Sequence, residues 1–303
     1  MLYFMTTRDH RYTLNTYRSG RGQPVRDHIR IRPYEARNIR LLTGTYVFSD
    51  LERLSAWQRR RAGRLARRLR SAGCQTLNDP DKSLMRVELL RALQRDGRQS
   101  LAIAREAEDL SGLHFPVFLR READHDGNLT DLLQSPDDLE RALGEHKGVL
   151  VVEFIDTADT DGIYRKYSAF RIGDQIVPRH VLFSRHWMQK QADLTNPEYL
   201  EEERAYVEMN PHREAVLEVF ELSRIEYGRV DYAMLDGRLQ VWEINTNPSL
   251  VGPISDLKPE REGVHALFAE RMNRCIADLA TRNPEPGRRV LNPNVWWRPS
   301  WLF

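Results

Sequence analysis

The chain has 303 residues, 41% of them hydrophobic and 9% aromatic, enough to bury an ordinary core in two or three compact units. Its 46 basic and 44 acidic side chains leave a net charge of +2, which argues against a dedicated nucleic-acid or membrane-surface binder. Only Cys74 and Cys275 occur, without metal-ligand spacing, and no apolar run reaches the roughly eighteen residues of a membrane span, so a disulfide framework, a zinc site and a membrane anchor are not expected.

The opening MLYFMTTRDHRY lacks the apolar core of a signal peptide, and the cytoplasm is the expected compartment. Leu2 to Met5 predict a short buried strand, and the polar, basic stretch to about Pro33, with Gly20, Gly22 and Pro24, reads as a loop. Thr45 to Phe48 predict a second strand. It leads into Ser49-Asp50-Leu51-Glu52, which has the Ser-x-x-Glu form of a capping box. The helix predicted from there to about Gly73 carries Leu54, Trp57, Leu65 and Leu69 at helical spacing, with Arg59, Arg60, Arg61, Arg64, Arg67, Arg68 and Arg70 mostly on the other side. We read this arginine run as a solvated face or a subunit surface, because the overall charge is balanced and no aromatics interleave for base stacking. A strand at Gln75 to Leu77, a turn at Asn78-Asp79-Pro80 and a helix from about Lys82 follow. Strand, helix, strand, helix in the first stretch describes a small open-sheet α/β unit.

Phe115 to Arg120 predict a strand ending in a basic side chain, and Arg121 to Thr130, with Gly127, is the segment that the resemblance described below implies to be a mobile lid. Ser135-Pro136 starts a helix to about Glu145, with serine as cap and proline at the first helical position. Val149 to Ile155 form a continuous apolar strand broken by Glu153. Tyr164 to Ile172 and Gln175 to Phe183 flank Gly173-Asp174 as a hairpin from which Lys166 projects, and His180 and His186 are ordinary polar positions. Asn196-Pro197 caps the first of the acidic helices that reach about Leu222, and residues 260 to 280 are an amphipathic helix. The tail from Asn283, ending in VWWRPSWLF, is too aromatic for a disordered segment and is expected to dock on the body or on a partner subunit, as in a homo-oligomer.

Residues 228 to 250, GRVDYAMLDGRLQVWEINTNPSL, carry the clearest chemistry. Alternation on both sides of Asp236-Gly237 predicts a hairpin in which Arg229 shares a face with Asp231, and Glu243 with Asn245. A strict two-residue turn sets Asp231 opposite Trp242, whereas a three-residue turn with a glycine bulge sets it opposite Glu243. We favour the bulged turn, because two carboxylates and an amide oxygen beside an arginine make a hard-oxygen magnesium site next to a phosphate clamp. On this view, deleting either acid relieves like-charge repulsion, and stability holds or rises.

The run Gly228-Arg229-Val230-Asp231, then Glu243-x-Asn245-x-Asn247-Pro248, resembles the terminal hairpin of the ATP-grasp superfamily, closest in wording to D-alanine-D-alanine ligases and the glutathione-synthetase type. The resemblance covers about residues 115 to 250. It implies an α/β protein with a small N-terminal open-sheet, pre-ATP-grasp-like domain (1–81), then an ATP-grasp domain of two α+β subdomains (82–285, divided at 155 and 156), then an aromatic tail (286–303). It implies ATP and two magnesium ions as cofactors, with Asp231, Glu243 and Asn245 as metal ligands and Arg229 on the phosphate in transit. It places Arg120, where the family usually has lysine, and Lys166 on the phosphates, with Lys190 as a further phosphate or substrate contact. It places the backbone of Glu153, Phe154 and Ile155 at adenine, and one acid of Asp156, Asp159 or Asp161 near the ribose. Asn247 and Ser249 fall at the acceptor end, although family members have glycine after the proline and this chain has Ser249. The implied activity is an ATP-dependent ligase joining a small-molecule or peptide carboxylate to a nucleophile, with no nucleic-acid or membrane partner. The alternatives are a small-molecule kinase and a catalytically reduced ATP-binding sensor or scaffold.

Overall fold

The computed structural model describes residues 1–36, 41–122, 127–188, 193–251, 258–282 and 290. It begins with β1 (Leu2–Thr6), α1 (Tyr12–Ser19), β2 (Ile29–Pro33), β3 (Thr45–Phe48), α2 (Ala56–Ser71) and β4 (Gln75–Leu77). The strands form a parallel sheet in the order β2-β1-β3-β4. Alternation sends Leu2, Phe4 and Val47 to one face, with Leu14 and Tyr17 of α1, and Tyr3, Met5, Tyr46 and Phe48 to the other, against α2.

Two expectations change here. The stretch to Pro33 is not a loop but holds α1, a 3-10 turn at Gln23–His28 and β2, because Leu14 and Tyr17 have an apolar sheet face to bury against. The capping box belongs to Ser55 and Gln58, so α2 starts later than Ser49-Asp50 suggested, and Trp57 lies 55% exposed. The 3-10 turn at Leu51–Arg53 takes the place of the first expected helical turn. Of the arginine run, Arg59 donates to the Pro80 and Ser83 carbonyls and Arg67 and Arg70 pair with Asp81 and Asp79, so part of that face clamps the turn after β4.

Next come α3 (Arg86–Arg95), β5 (Ile103–Arg105), β6 (Val117–Arg121), α4 (Pro136–Glu145) and β7 (Val149–Glu153). The three strands form an antiparallel sheet, β5-β7-β6, with Leu139 of α4 packed on one face and the apolar stripe of α3 on the other. The last part holds β8 (Tyr164–Ile172), β9 (Gln175–Ser184), α5 (Pro197–Met209), α6 (Arg213–Ser223), β10 (Tyr227–Leu235), β11 (Arg238–Asn245) and α7 (Glu262–Thr281). Its sheet runs β11-β10-β8-β9, all antiparallel. Val230 and Tyr232 point to the helix side with Val219 and Phe220, which leaves Arg229 and Asp231 on the opposite face. No described helix is long and apolar enough to cross a membrane.

The N-terminal sheet shares its core with the last one, because Phe4, Phe170, Tyr227, Phe268 and Met272 lie in one cluster. Asn78, buried and left-handed at φ 60°, stitches the two together. Its amide donates to the carbonyls of Phe48 (3.0 Å) and Tyr227 (2.7 Å) and accepts from the backbone N–H of Glu226 (2.8 Å) and Tyr227 (2.9 Å). Asn78→Ala strands these buried groups and puts a Cβ with no local hydrogen bond in the left-handed region, so we expect a loss of about 3 kcal/mol or more in urea unfolding. A loss below about 1 kcal/mol would show that the junction does not depend on this side chain.

Candidate active site

Asp231 lies opposite Glu243 and Arg229 opposite Asn245, as the bulged pairing predicts, but the bulge is not in the turn. Asp236 and Gly237, at φ 50° and 74°, make a two-residue turn that pairs Leu235 with Arg238. The register shifts further in, between Asp231 and Tyr232, where Trp242 is the extra residue. Bulges bend a strand and re-aim side chains, and this one turns both acids to the same face. Gly228 is required on packing grounds, since a Cβ there would lie 2.9 Å from the Asn245 carbonyl oxygen.

That face closes one side of a cavity of about 350 Å³. Its other wall comes from the middle sheet. At one end Phe118, Phe154 and Ile155 meet Trp187, whose ring centroid is 5.0 Å from that of Phe118 and 5.5 Å from that of Phe154. At the other end Arg120, Lys166, Arg229, Asp231 and Glu243 converge. Arg229 grips Asp231 with two nitrogens, at 2.7 and 3.0 Å, Lys166 reaches the same carboxylate at 3.0 Å, and Ser168 donates to it at 2.9 Å. Glu243 accepts from Arg120 at 3.1 Å and from Arg86. Burial pushes the Asp231 carboxyl up, but Arg229 and Lys166 outweigh it and hold it below the ordinary aspartate value. Burial pulls the Arg120 guanidinium down to about 10 against the attraction of Glu243.

The acids are therefore held by cations that outweigh their mutual repulsion, which reverses the expected effect of deleting one. Removing either leaves buried or half-buried guanidinium groups without their carboxylate.

The remaining expected residues divide. The Glu153 carboxylate is buried, with a relative exposure of 4%, and accepts from the backbone of Ala102 and His114, while the N–H groups of Glu153 and Phe154 donate to the carbonyls of Ala102 and Pro116, so these two expected backbone donors are already committed. β7 ends at Glu153, leaving Phe154 and Ile155 beyond the strand on the cavity wall. Asp156 and Asp161 are exposed, Asp159 is paired with Arg165, and none of the three lines the cavity; Thr157 and Tyr164 do. The acids stand off because the turn at 159–162 folds on Asp159, which accepts from the backbone of Asp161 and Ile163. Asn245 is buried, and its side-chain oxygen accepts the Asn247 N–H at 2.8 Å. Asn247 is also buried, and its amide is occupied by Thr6, His10 and Thr13, so it anchors the N-terminal segment. Ser249 is exposed and does not line the cavity. Lys190, residues 123–126 of the expected lid and most of the aromatic tail lie outside the described residues.

Arg86 was not anticipated. It opens α3, is 6% exposed, and donates to the carbonyls of Arg121 (3.1 Å) and Glu122 (2.6 Å) as well as to Glu243. Its sequence signal was its spacing: Arg86, Leu89, Leu90 and Leu93 share one helical stripe, where an arginine must find a buried partner.

No protein-family model matches the chain, and no curated protein matches it. Solved structures do. D-alanine-D-alanine ligase from Bacillus anthracis, complexed with ATP, superposes with a TM-score of 0.53 at 16% identity, covering 93% of this chain and 98% of that one. Another structure of that enzyme gives 0.51 at 16% identity, covering 93% and 97%. This protein has the ATP-grasp fold.

Within that ATP-grasp fold, the donor set of Asp231, Glu243 and Asn245 fits a hard divalent cation, being two carboxylates and an amide oxygen on adjacent strands. Among the described residues no group of three or more His, Cys, Asp or Glu side chains is placed to hold a metal, so the amide oxygen would be an essential member. The pairing of Asp231 has a pH signature. With its folded-state value depressed, its contribution is complete above the ordinary aspartate range and is lost as pH falls through the depressed value. In metal-free buffer we expect Asp231→Asn to be less stable than wild type by about 2–4 kcal/mol at pH 7. The gap in Tm should shrink as pH is lowered below about 4. A gap that is absent at pH 7, or independent of pH, would show that the ion pairs contribute nothing.

Proposed function

We propose that the protein is an ATP-dependent ligase that joins a small-molecule or peptide carboxylate to an amine, or to another nucleophile, through an acyl phosphate. The observation that carries this reading is the cavity's polarity. A planar aromatic and aliphatic slot at Phe118, Phe154, Ile155 and Trp187 suits a purine, and the cationic end at Arg120, Lys166 and Arg229 suits a polyphosphate. The ATP-grasp fold supports it. Asp231, Glu243 and Asn245 would hold magnesium, which would supply positive charge to neutralise the phosphates.

The chain's own groups have separate tasks. Arg229 and Lys166 carry charge at the edge of the phosphate end and stabilise negative charge on the transferring group. Arg120 and Arg86 fix the Glu243 carboxylate from the opposite wall, so that it stays aimed at the same face as Asp231. A substrate carboxylate presented beside Arg229 takes the phosphoryl group, and the activated acyl carbon is then open to a nucleophile.

A catalytically reduced sensor is the second reading, favoured by one feature: Arg120 stands where the resemblance implies lysine, and a planar fork bound to Glu243 must be re-paired before it can grip phosphate. Two experiments separate the readings. In an ADP-release screen over mixed carboxylates with hydroxylamine as the trap, the ligase yields hydroxamate that depends on ATP and magnesium. Arg229→Ala should lower that yield by roughly two to three orders of magnitude, the usual cost of losing one transition-state donor. ATP binding without ADP release on any carboxylate would support the sensor, and a phosphorylated product inert to hydroxylamine would support a kinase. Separately, Arg120→Ala should weaken ATP binding more than Arg120→Lys, as read by calorimetry, because lysine keeps the charge and loses only the fork. Wild-type affinity in both variants would remove β6 from the phosphate site.

A further inference from the structure

In the N-terminal sheet β1 lies between β2 and β3, so the chain leaves β1 to one side and returns on the other. In open parallel sheets the crevice at such a reversal, at the carboxyl ends of the strands, is where ligands bind. Here Thr6 and Thr7 end β1, Ser49 and Asp50 follow β3, and the wall facing them is the end of β11. Thr246 accepts from the Leu51 N–H at 2.9 Å and donates to Glu52, and Asn247 donates to the His10 carbonyl at 3.1 Å. The crevice thus adjoins Asn245, which pairs with Arg229 across the hairpin.

A polar cluster outside the nucleotide cavity fills this place. Asp50 is fully buried and held at φ 62°, a left-handed conformation that costs a non-glycine residue energy and gathers at functional sites. Its Oδ1 accepts from Arg53 at 2.6 Å, and its Oδ2 accepts from the Thr7 N–H at 3.1 Å and from the Thr7 hydroxyl. The same hydroxyl lies 2.8 Å from His10 Nδ1, which is itself 3.4 Å from Asp50 Oδ2. These bonds fix the imidazole's tautomer. With the Thr7 proton given to Asp50, which can only accept, the hydroxyl oxygen accepts from His10, and this arrangement puts the hydrogen on Nδ1. The lone pair then sits on Nε2, which makes no hydrogen bond to a described residue, and the side chain is 29% exposed.

Resting on the ligase reading above, we propose that His10 is the general base for the second half-reaction and takes a proton from an amine nucleophile bound at the carboxyl edge of β1 and β3. The amine nitrogen bonds to the acyl carbon, and the carbon–oxygen bond to the phosphate breaks. Inorganic phosphate leaves with that electron pair, and the proton from nitrogen passes to His10 Nε2 and on to solvent. Asp50, through Thr7, holds the ring in register and stabilises the imidazolium, an orienting role that a buried carboxylate performs for a histidine base. Arg53, on the other oxygen of Asp50, holds that carboxylate in place.

The test separates the two half-reactions. The probe is an equimolar mixture of the protein amino acids, serving as acid and amine, with ATP and magnesium; in a parallel arm hydroxylamine, already unprotonated near neutral pH, replaces the need for an activated amine. His10→Asn should lower amide formation by about 10²- to 10⁴-fold, the range of a lost general base, and leave hydroxamate yield within severalfold of wild type. Equal loss in both arms, or no loss of amide, would overturn the role of His10 while leaving the ligase reading intact. A wild type that gives no hydroxamate would sink the ligase reading, and this one with it. An activity-independent measurement is ¹⁵N NMR of the His10 ring in the full chain. Nδ1 protonated and Nε2 bare, changing in Thr7→Val, supports the proposal, and the opposite tautomer in the wild type overturns it.

Discussion

Two carboxylates that face each other across one strand pair, both nearly buried, cannot remain ionised unless cations surround them, and everything around the cavity answers that demand. The counter-charges come from different parts of the chain: Arg229 from β10, Lys166 from β8, Arg120 from β6 and Arg86 from α3. The middle sheet and the terminal sheet are therefore joined through Glu243 by charge as well as by the apolar cluster of α3, β11 and α6. On the proposed reading, a bound cation or a polyphosphate would enter this balance directly, because it would compete for the same carboxylates and the same guanidinium groups. Binding and the relation between the two walls are in that sense one equilibrium.

The second dependence is mechanical. The hairpin ends in Asn245-Thr246-Asn247, and each of these residues is buried and tied: Asn245 to Asn247, Thr246 to Glu52 and Leu51, and Asn247 to Thr6, His10 and Thr13. A segment that the resemblance places at an acceptor end is also the fastening of the N-terminal sheet. The cost of placing buried amides there is offset by the hydrogen bonds they make, which also fix the hairpin's end beside the carboxyl edge of β1 and β3. Asn78 repeats the device at the other junction, where its side chain bonds to both β3 and β10.

The sequence by itself determined the hairpin. Alternation around Asp236-Gly237 is a local property, and it was enough to place Arg229 and Asp231 on one face of their strand and Glu243 with Asn245 on one face of theirs, while the register that sets Glu243 opposite Asp231 came from a bulge away from the turn. Caps with a local mechanism were equally legible, as at Ser135 and Asn196, whose side chains accept from Asp138 and Tyr199. Where two caps competed, at Ser49 and Ser55, the choice fell to packing: Ser49 is buried and bonded to the Met5 carbonyl, which leaves Ser55 as the helix start. Only the tertiary structure decided which polar residues meet. Trp242 as the bulge, Arg86 on Glu243 and His10 beside Asp50 each depend on residues 40 or more positions apart or on a register shift, and no local pattern encodes the partner. The ribose-side acids illustrate the converse. The resemblance put one of three aspartates near a ribose, and the turn spent Asp159 on its own backbone while Asp156 and Asp161 stay exposed and off the cavity wall. Short-range periodicity specifies faces and caps because its energetics lie within a few residues, whereas a charge buried by folding acquires its partner only when the sheets that carry the two have closed on each other.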